Sequence, residues 1–207
     1  MTTTINYYFS VMSPWSYLGD ERLRTIASRG EAAIVHKPVD TTVMFSRTGG
    51  LALKDRSKER QAYRMRELKR WSTRLDLPIN DNPRHYPVDS TPAARVIIAA
   101  KQHGVNVGLL TYALMRAVWV DEANVSEPAV LHSLLEAQAL PAGDLLERAG
   151  SDDVSNEYAA NTEEAIAQGA FGVPAYALCD DLLWGQDRLD FVEALFTPVE
   201  QIESPRE

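Results

Sequence analysis

Residues 6–23, NYYFSVMSPWSYLGDERL, constrain the chain more than any other stretch. Positions 7–12 are apolar apart from Ser10, as expected of a short strand covered on both faces. The run breaks off at Ser13-Pro14-Trp15-Ser16, and helix-like sequence follows at once, with Leu23, Ile26 and Ala27 at helical spacing over 20–28 and Gly30 as a stop. AAIVHKPVD, at 32–40, reads as a second strand ended by Pro38. Strand, helix, strand is the unit that builds a parallel sheet. It sets two serines, three apart, where a strand hands over to a helix.

The character then changes. Beyond a loop containing Gly49-Gly50, residues 54–77 lack Gly and Pro and are crowded with charge. Ala62, Met65, Leu68, Ser72 and Leu75 fall three and four apart, which predicts a long helix with one buried face. Residues 79–90 (INDNPRHYPVDS) form a loop. Ser90 or Thr91 caps the next helix, with Pro92 in its first turn and Gly104 closing it. Further helices are expected at about 106–119, at 127–138 after a Ser126 cap, at 142–149 and at 151–168. Strand signals return in VPAYALCD (173–180) and LLWG (182–185), which flank Asp180-Asp181 as a tight hairpin, and a last helix runs over 187–196.

Laid end to end this is β-α-β, a run of helices, then β-β-α: an α/β thioredoxin-like fold interrupted by an all-helical insertion domain. The expected division is 1–45 with 168–200 for the thioredoxin-like part, 46–167 for the insertion, and a disordered tail at 201–207.

Composition narrows the chemistry. A net charge of −8 over 207 residues argues against nonspecific nucleic-acid binding, and no apolar run could cross a membrane. The amino terminus, MTTTINYYF, lacks the features of a signal peptide, so the cytoplasm is the expected location. Cys179 is the single cysteine, which excludes an internal disulfide, a CxxC redox pair and a cysteine-rich metal site. His36, His85, His103 and His132 lack metal-ligand spacing, so they read as surface or hydrogen-bonded histidines and no metal is expected.

In this topology the turn after the first strand presents its residues at a helix amino terminus, where N–H groups and the helix dipole stabilise an anion. Ser13-Pro14-Trp15-Ser16 stands where a thioredoxin-like enzyme would carry Cys-Pro-x-Cys. Serines cannot do dithiol chemistry. A hydroxyl there can still donate to a thiolate supplied from outside, and glutathione is the abundant intracellular thiol; with free thiols titrating at roughly 8.5, such a site would favour the nucleophilic form. Ser13 also reads simply as a helix cap, as Ser before Pro commonly does. A serine hydrolase is disfavoured, because no G-x-S-x-G elbow is present.

Two further signals converge on that turn. Val173-Pro174 opens the late strand where thioredoxin-like folds hold a cis-proline, whose preceding residue keeps its N–H and C=O free for a peptide-like ligand. It could equally be an ordinary Pro at a strand start. Gly185-Gln186-Asp187-Arg188 opens the last helix, where main-chain N–H groups suit a carboxylate and Asp187 suits an ammonium; Asp187 alone also reads as an N-cap. Nine of the 21 basic residues lie within 54–74, either a solvated helix face or a local positive potential that draws a carboxylate-bearing substrate.

Taken together, YYFSVMSPWSYLG, RQAYRMRELKRW, RAVWVDEANV, FGVP and WGQDRLDF resemble the 2-hydroxychromene-2-carboxylate isomerase family, of the DsbA-like and kappa-class glutathione transferase group. The resemblance runs from about residue 5 to 197 in matching order. It implies a glutathione-dependent isomerisation in aromatic catabolism, with Ser13 as thiol activator, Val173 and Pro174 as cysteinyl clamp, and Gln186 and Asp187 as γ-glutamyl contacts. It also implies a homodimer and a small aromatic carboxylate substrate, for which Trp15, Arg64, Asn82 and Arg84 are the candidate contacts. The loop NDNPRHYPVD at 80–89 departs from the Asn- and Arg-rich stretch of naphthalene-pathway members, which leaves the particular substrate open. A kappa-like transferase and a non-catalytic thioredoxin-fold binding protein are the alternatives. Because the reactive sulfur would be external, Cys179→Ser should leave turnover with glutathione essentially unchanged in a steady-state assay; a large loss without unfolding would contradict the external-thiol reading.

Overall fold

In the computed structural model, which describes residues 3–196, the chain opens with β1 (Thr4–Phe9), α1 (Pro14–Arg29) and β2 (Ala33–Pro38). It closes with β3 (Ala175–Leu178), β4 (Asp181–Trp184), a 3-10 turn (Gln186–Arg188) and α9 (Leu189–Ala194). Between β2 and β3 come α2 (Thr41–Thr48), a 3-10 turn (Leu53–Asp55), α3 (Lys58–Leu75), α4 (Thr91–Gln102), α5 (Gly108–Trp119), α6 (Pro128–Ala137), α7 (Ala142–Ala149) and α8 (Asp152–Ala167). The four strands order as β2-β1-β3-β4, with β1 parallel to β2 and antiparallel to β3, and β3 antiparallel to β4. This is the thioredoxin-like arrangement expected from the order of elements, with helices inserted between its two halves.

The junction at the start is sharper than the apolar run suggests. β1 stops at Phe9, and Ser10 to Ser13 form a turn closed by Ser13 N–H donating to Ser10 O at 2.9 Å. Met12 N–H donates to Ser10 Oγ at 3.2 Å. Helix α1 therefore starts at Pro14, nine residues before Leu23, the first of the periodic apolar positions. Pro at the first helical position is compatible because that N–H has no intrahelical partner anyway.

Several local expectations are corrected. Helix α2 went unread, since its eight residues lie in what scanned as a loop; Asp40 caps it, accepting from Thr42 and Val43 N–H at 2.8 and 3.2 Å, and Gly49 ends it in the left-handed region. Helix α3 begins at Lys58, and of its expected buried face only Leu68 is fully buried while Ala62 is exposed. Ser126 does not cap α6: its hydroxyl donates to Asn124 Oδ1 and Glu127 holds the cap position. At α4, Asp89 Oδ1 takes the Thr91 N–H at 2.9 Å, and no hydrogen bond from the Ser90 side chain caps the helix. The hairpin turns at Cys179-Asp180, both at positive φ, one residue earlier than expected. That shift makes Asp181 the first residue of β4 and pairs Tyr176 with Leu183. The expected final helix is a 3-10 turn followed by α9. The tail at 201–207 lies outside the described residues.

One apolar core runs through both halves. Tyr7, Phe9, Leu18 and Tyr176 of the sheet and α1 pack in the same cluster as Ile97, Leu114, Trp119 and Leu145 of the helical segment. A smaller cluster on the other face of the sheet joins Tyr8, Met44, Ala165 and Ala175. A close approach within the first is at Gly19, where an added Cβ would lie 2.8 Å from Gln186 Cβ and 3.1 Å from Tyr176 Oη. Gly19→Ala should therefore force α1 away from the 3-10 turn and destabilise the fold by about 1–3 kcal/mol, measured by urea unfolding; an unchanged midpoint would mean that this junction has slack.

Candidate active site

Ser13 is the N-cap of α1, and both of its oxygens are in use there. Its Oγ accepts the Ser16 N–H at 3.2 Å and its carbonyl accepts the Tyr17 N–H at 3.1 Å. The capping reading of Ser13 is thus correct, and it does not exclude the other one. The Ser13 hydroxyl donates in turn to Val173 O at 3.4 Å, which brings together two residues 160 positions apart in sequence. Val173-Pro174 is a cis peptide, as expected. Pro174 O accepts the Gly185 N–H at 2.9 Å, so the WGQDR segment is fixed beside the same proline.

The β1–α1 turn is held from the helical segment. Trp119, at the end of α5, is wholly buried and donates its indole N–H to Val11 O at 3.1 Å. Its ring packs against Tyr86 at 4.9 Å. Trp119 O accepts the Asn80 N–H at 2.7 Å, and Asn80 Nδ2 and Arg84 N–H both donate to Glu122 Oε1. The loop at 79–90 is in this way tied by its main chain to the residue that holds the turn.

The expected site residues fall into two groups. Ser13, Val173, Pro174 and the Gln186-Asp187 pair converge. Asp187 is exposed and pairs with Arg188 at 3.2 Å, whereas the Gln186 side chain is only 2 % exposed and packs on Gly19, with Oε1 lacking a partner. Trp15, in the first turn of α1, is partly buried against the core. Burial, with Arg56 adding to it and Tyr86 opposing it, holds the Arg64 pKa below the ordinary arginine value. Its Nη1 lies 3.6 Å from Met65 Sδ, and among the described residues no carboxylate pairs with it. Asn82 and Arg84 are exposed, and no hydrogen bond or ion pair among the described residues joins them to Ser13 or Arg64. Among those residues, no cluster of His, Cys, Asp or Glu could hold a metal ion. No helix there is long and apolar enough to cross a membrane.

Two buried titratable groups lie outside the expected site residues. Asp20, wholly buried on α1, accepts from Arg24 Nε at 2.9 Å, and burial pushes its pKa up to about 6 despite that cation. His36, on β2, is buried with Nε2 unpartnered, and burial, helped by Lys101 and Arg24, lowers it to about 4. Scattered spacing had placed His36 among surface or satisfied histidines. In the sequence Asp20 stands beside Glu21, and nothing local marks it as the buried one of the two.

The class of protein that the fold and the site define is thioredoxin-like, with a serine at the α1 cap beside a cis-proline. The chain belongs to the DSBA-like thioredoxin domain family, whose profile matches residues 4–197. It is 27% identical over 195 residues to the 2-hydroxychromene-2-carboxylate isomerase of Sphingobium xenophagum, covering 94% of this chain and 98% of that one. It is 25% identical to human glutathione S-transferase kappa 1, covering 93% and 90%. A solved structure of a 2-hydroxychromene-2-carboxylate isomerase superposes with a TM-score of 0.75 at 22% identity, covering 93% of each chain. The resemblance read from the motifs is borne out.

The two buried groups oppose each other in acid. Asp20 has a folded pKa above its ordinary value, so between about pH 4 and 6 the folded protein binds the extra proton and stability falls as pH rises. His36 has a folded pKa below its ordinary value, so between about 4 and 6.5 the unfolded chain binds the extra proton and stability rises with pH. Urea midpoints measured across that window should slope downward with pH in His36→Asn and upward in Asp20→Asn, relative to wild type; parallel profiles for all three proteins would contradict the assignment.

Proposed function

We propose that the protein is a glutathione-dependent isomerase acting on a small aromatic carboxylate. The observation that carries this reading is the Ser13 hydroxyl, set at the N-cap of a 16-residue helix and 3.4 Å from the carbonyl beside cis Pro174. A bond of that length is weak, so the Ser13 proton turns readily from Val173 O to a charged acceptor. The first turn of α1 adds the favourable end of the helix dipole. Its remaining N–H is that of Trp15, since Pro14 has none and those of Ser16 and Tyr17 bond to Ser13.

These residues fit a cysteinyl thiolate. Ser13 donates to the sulfur, Val173 offers its main chain to the cysteinyl amide, and the exposed Asp187 carboxylate suits the γ-glutamyl ammonium. Gln186 contributes through its main chain, because its side chain is buried against α1. Bound there, glutathione supplies a nucleophile that adds reversibly to a conjugated carbon, as needed to convert 2-hydroxychromene-2-carboxylate, or a related catabolite, to trans-o-hydroxybenzylidenepyruvate. Arg64, without a carboxylate partner among the described residues and reinforced by Arg56, faces the carboxylate of the substrate. Trp15 forms the adjoining apolar wall, and Asn82 and Arg84 form the outer rim. A cytoplasmic homodimer belongs to the same proposal.

A second reading is favoured by the relative named as a kappa-class transferase: the same site serves a conjugation in which thiolate addition is not reversed. Product analysis separates the two, since a transferase consumes glutathione and an isomerase returns it. The proposal is tested by calorimetric titration of glutathione into wild type and Asp187→Ala, together with turnover of Ser13→Ala. Binding should weaken in the first variant, and turnover should fall by about two orders of magnitude in the second, the scale of losing one donor to an anion. No binding to folded wild type would leave a thioredoxin-fold binding protein as the reading.

A further inference from the structure

On the buried side of α1, behind Ser13, lies a group of polar atoms that the thiol chemistry does not use. Asp20 Oδ2 is held by Arg24, while Oδ1 has no hydrogen-bond partner. Ser16 Oγ, one helical turn nearer Ser13, is also buried without a partner, as are Tyr176 Oη and Gln186 Oε1. Ser16 and Asp20 share a face of α1 at i, i+4, Asp20 lies close enough to Tyr176 to raise the tyrosine's pKa, and Gly19 between them meets both Tyr176 Oη and the Gln186 Cβ. The group comprises two donors, the hydroxyls of Ser16 and Tyr176, and two acceptors. An ionised carboxylate with one bare buried oxygen is unfavourable, whereas a proton neutralises it and turns an acceptor into a donor.

The charges facing Asp20 leave it this choice. On α1 itself Arg24 favours the ionised form and Glu21 opposes it. From β1 and β3, Tyr7 and Tyr176 are kept neutral by burial, and from β2, His36 is neutral above about pH 4. Tyr112 of α5 lies under the Arg24 guanidinium. Asp187, in the turn after β4, adds negative potential at Tyr176. On α9, Asp190 pairs with Arg22 and Glu193 with Arg29.

We propose that Asp20 is a positioning residue coupled by charge to the Ser13 site: it is ionised against Arg24 in the free protein and binds a proton when a thiolate settles at the amino terminus of α1. The inference rests on the thiolate reading of Ser13. Seven residues of helix separate the two, roughly 10 Å. At an effective interior dielectric of about 20, a negative charge at that distance raises the carboxyl pKa by about one unit. Asp20 already titrates at about 6, so the increment carries it across near-neutral pH. The protons balance: the thiol S–H gives up one, the Asp20 carboxylate takes one up to become a carboxylic acid, and it returns when the ligand leaves as a thiol. Fewer protons then reach solvent than thiolates form.

Calorimetric titration of glutathione at about pH 6.5, in buffers of different ionisation enthalpy, counts the protons released, and far-ultraviolet thiolate absorbance counts the thiolates formed. Wild type should release about half a proton for each thiolate, and Asp20→Asn about one. Equal release from both, with thiolate formed in both, would overturn the coupling and leave the Ser13 reading intact. Binding to wild type without thiolate absorbance would overturn the Ser13 reading, and the coupling with it. If Asp20→Asn does not fold, carboxyl carbon-13 titration of Asp20 in wild type reads the same effect: its pKa should rise by about one unit on saturation with glutathione, and an unmoved titration would refute the inference.

Discussion

The hydrogen bond from the Trp119 indole to Val11 O is the contact on which the site's geometry depends. Val11 sits in the turn that converts β1 into α1, and that turn determines where the Ser13 hydroxyl points. A carbonyl in such a turn has no strand or helix partner, and buried without one it would cost about 1–3 kcal/mol. Trp119 meets that need from α5, far away in sequence, and its ring carries Tyr86 with it. The inserted helices are therefore part of how the sheet presents its reactive corner.

Substituting serine for cysteine changes which term of the electrostatics matters. A cysteine at a helix cap is activated by the helix dipole acting on its own sulfur. A serine at that place stays neutral, holds the cap through Ser16 N–H, and keeps one proton to offer. On the proposed function, the anion to be stabilised arrives from outside. That requires a main-chain docking edge, and the cis peptide at Val173-Pro174 stands 3.4 Å away. Arg64 adds a cation with no carboxylate partner among the described residues, in a chain whose net charge is −8.

What the sequence disclosed, and what it hid, follows physical lines. Ser13, Gly30 and Ser151 were readable as helix boundaries because capping chemistry is local, and α7 was found because it is short and strongly one-sided. Val173-Pro174 was readable because only proline makes a cis bond cheap. Helix α2 was missed because its cap, Asp40, scanned as the end of a strand. Ala62 was misplaced because periodicity marks a face without telling how much of it is covered. The hairpin turn was displaced because Cys179 takes a positive φ that its type does not advertise. Asp20 and His36 were invisible as site features since burial of a charged group depends on elements distant in sequence: Tyr176 and Gln186 for the first, Lys101 for the second. The convergence of Ser13 with Val173 was foreseen from topology, whereas the buried orientation of the Gln186 side chain was not.

The loop at 79–90 is fastened by its backbone, through Asn80 N–H to Trp119 O and Arg84 N–H to Glu122, and by the Asn80 side-chain amide, which also donates to Glu122. Asp81, Asn82 and Arg84, by contrast, are exposed. Anchoring a loop at Asn80, Tyr86 and the Arg84 N–H while the side chains of Asp81, Asn82 and Arg84 face outward decouples its shape from the identity of those three residues. Substitutions there can accumulate without unfolding the protein or displacing the turn that carries Ser13. On the proposed function, a lineage built on this scaffold can exchange one electrophile for another by rewriting these few surface positions, while the Ser13 turn need not change with them.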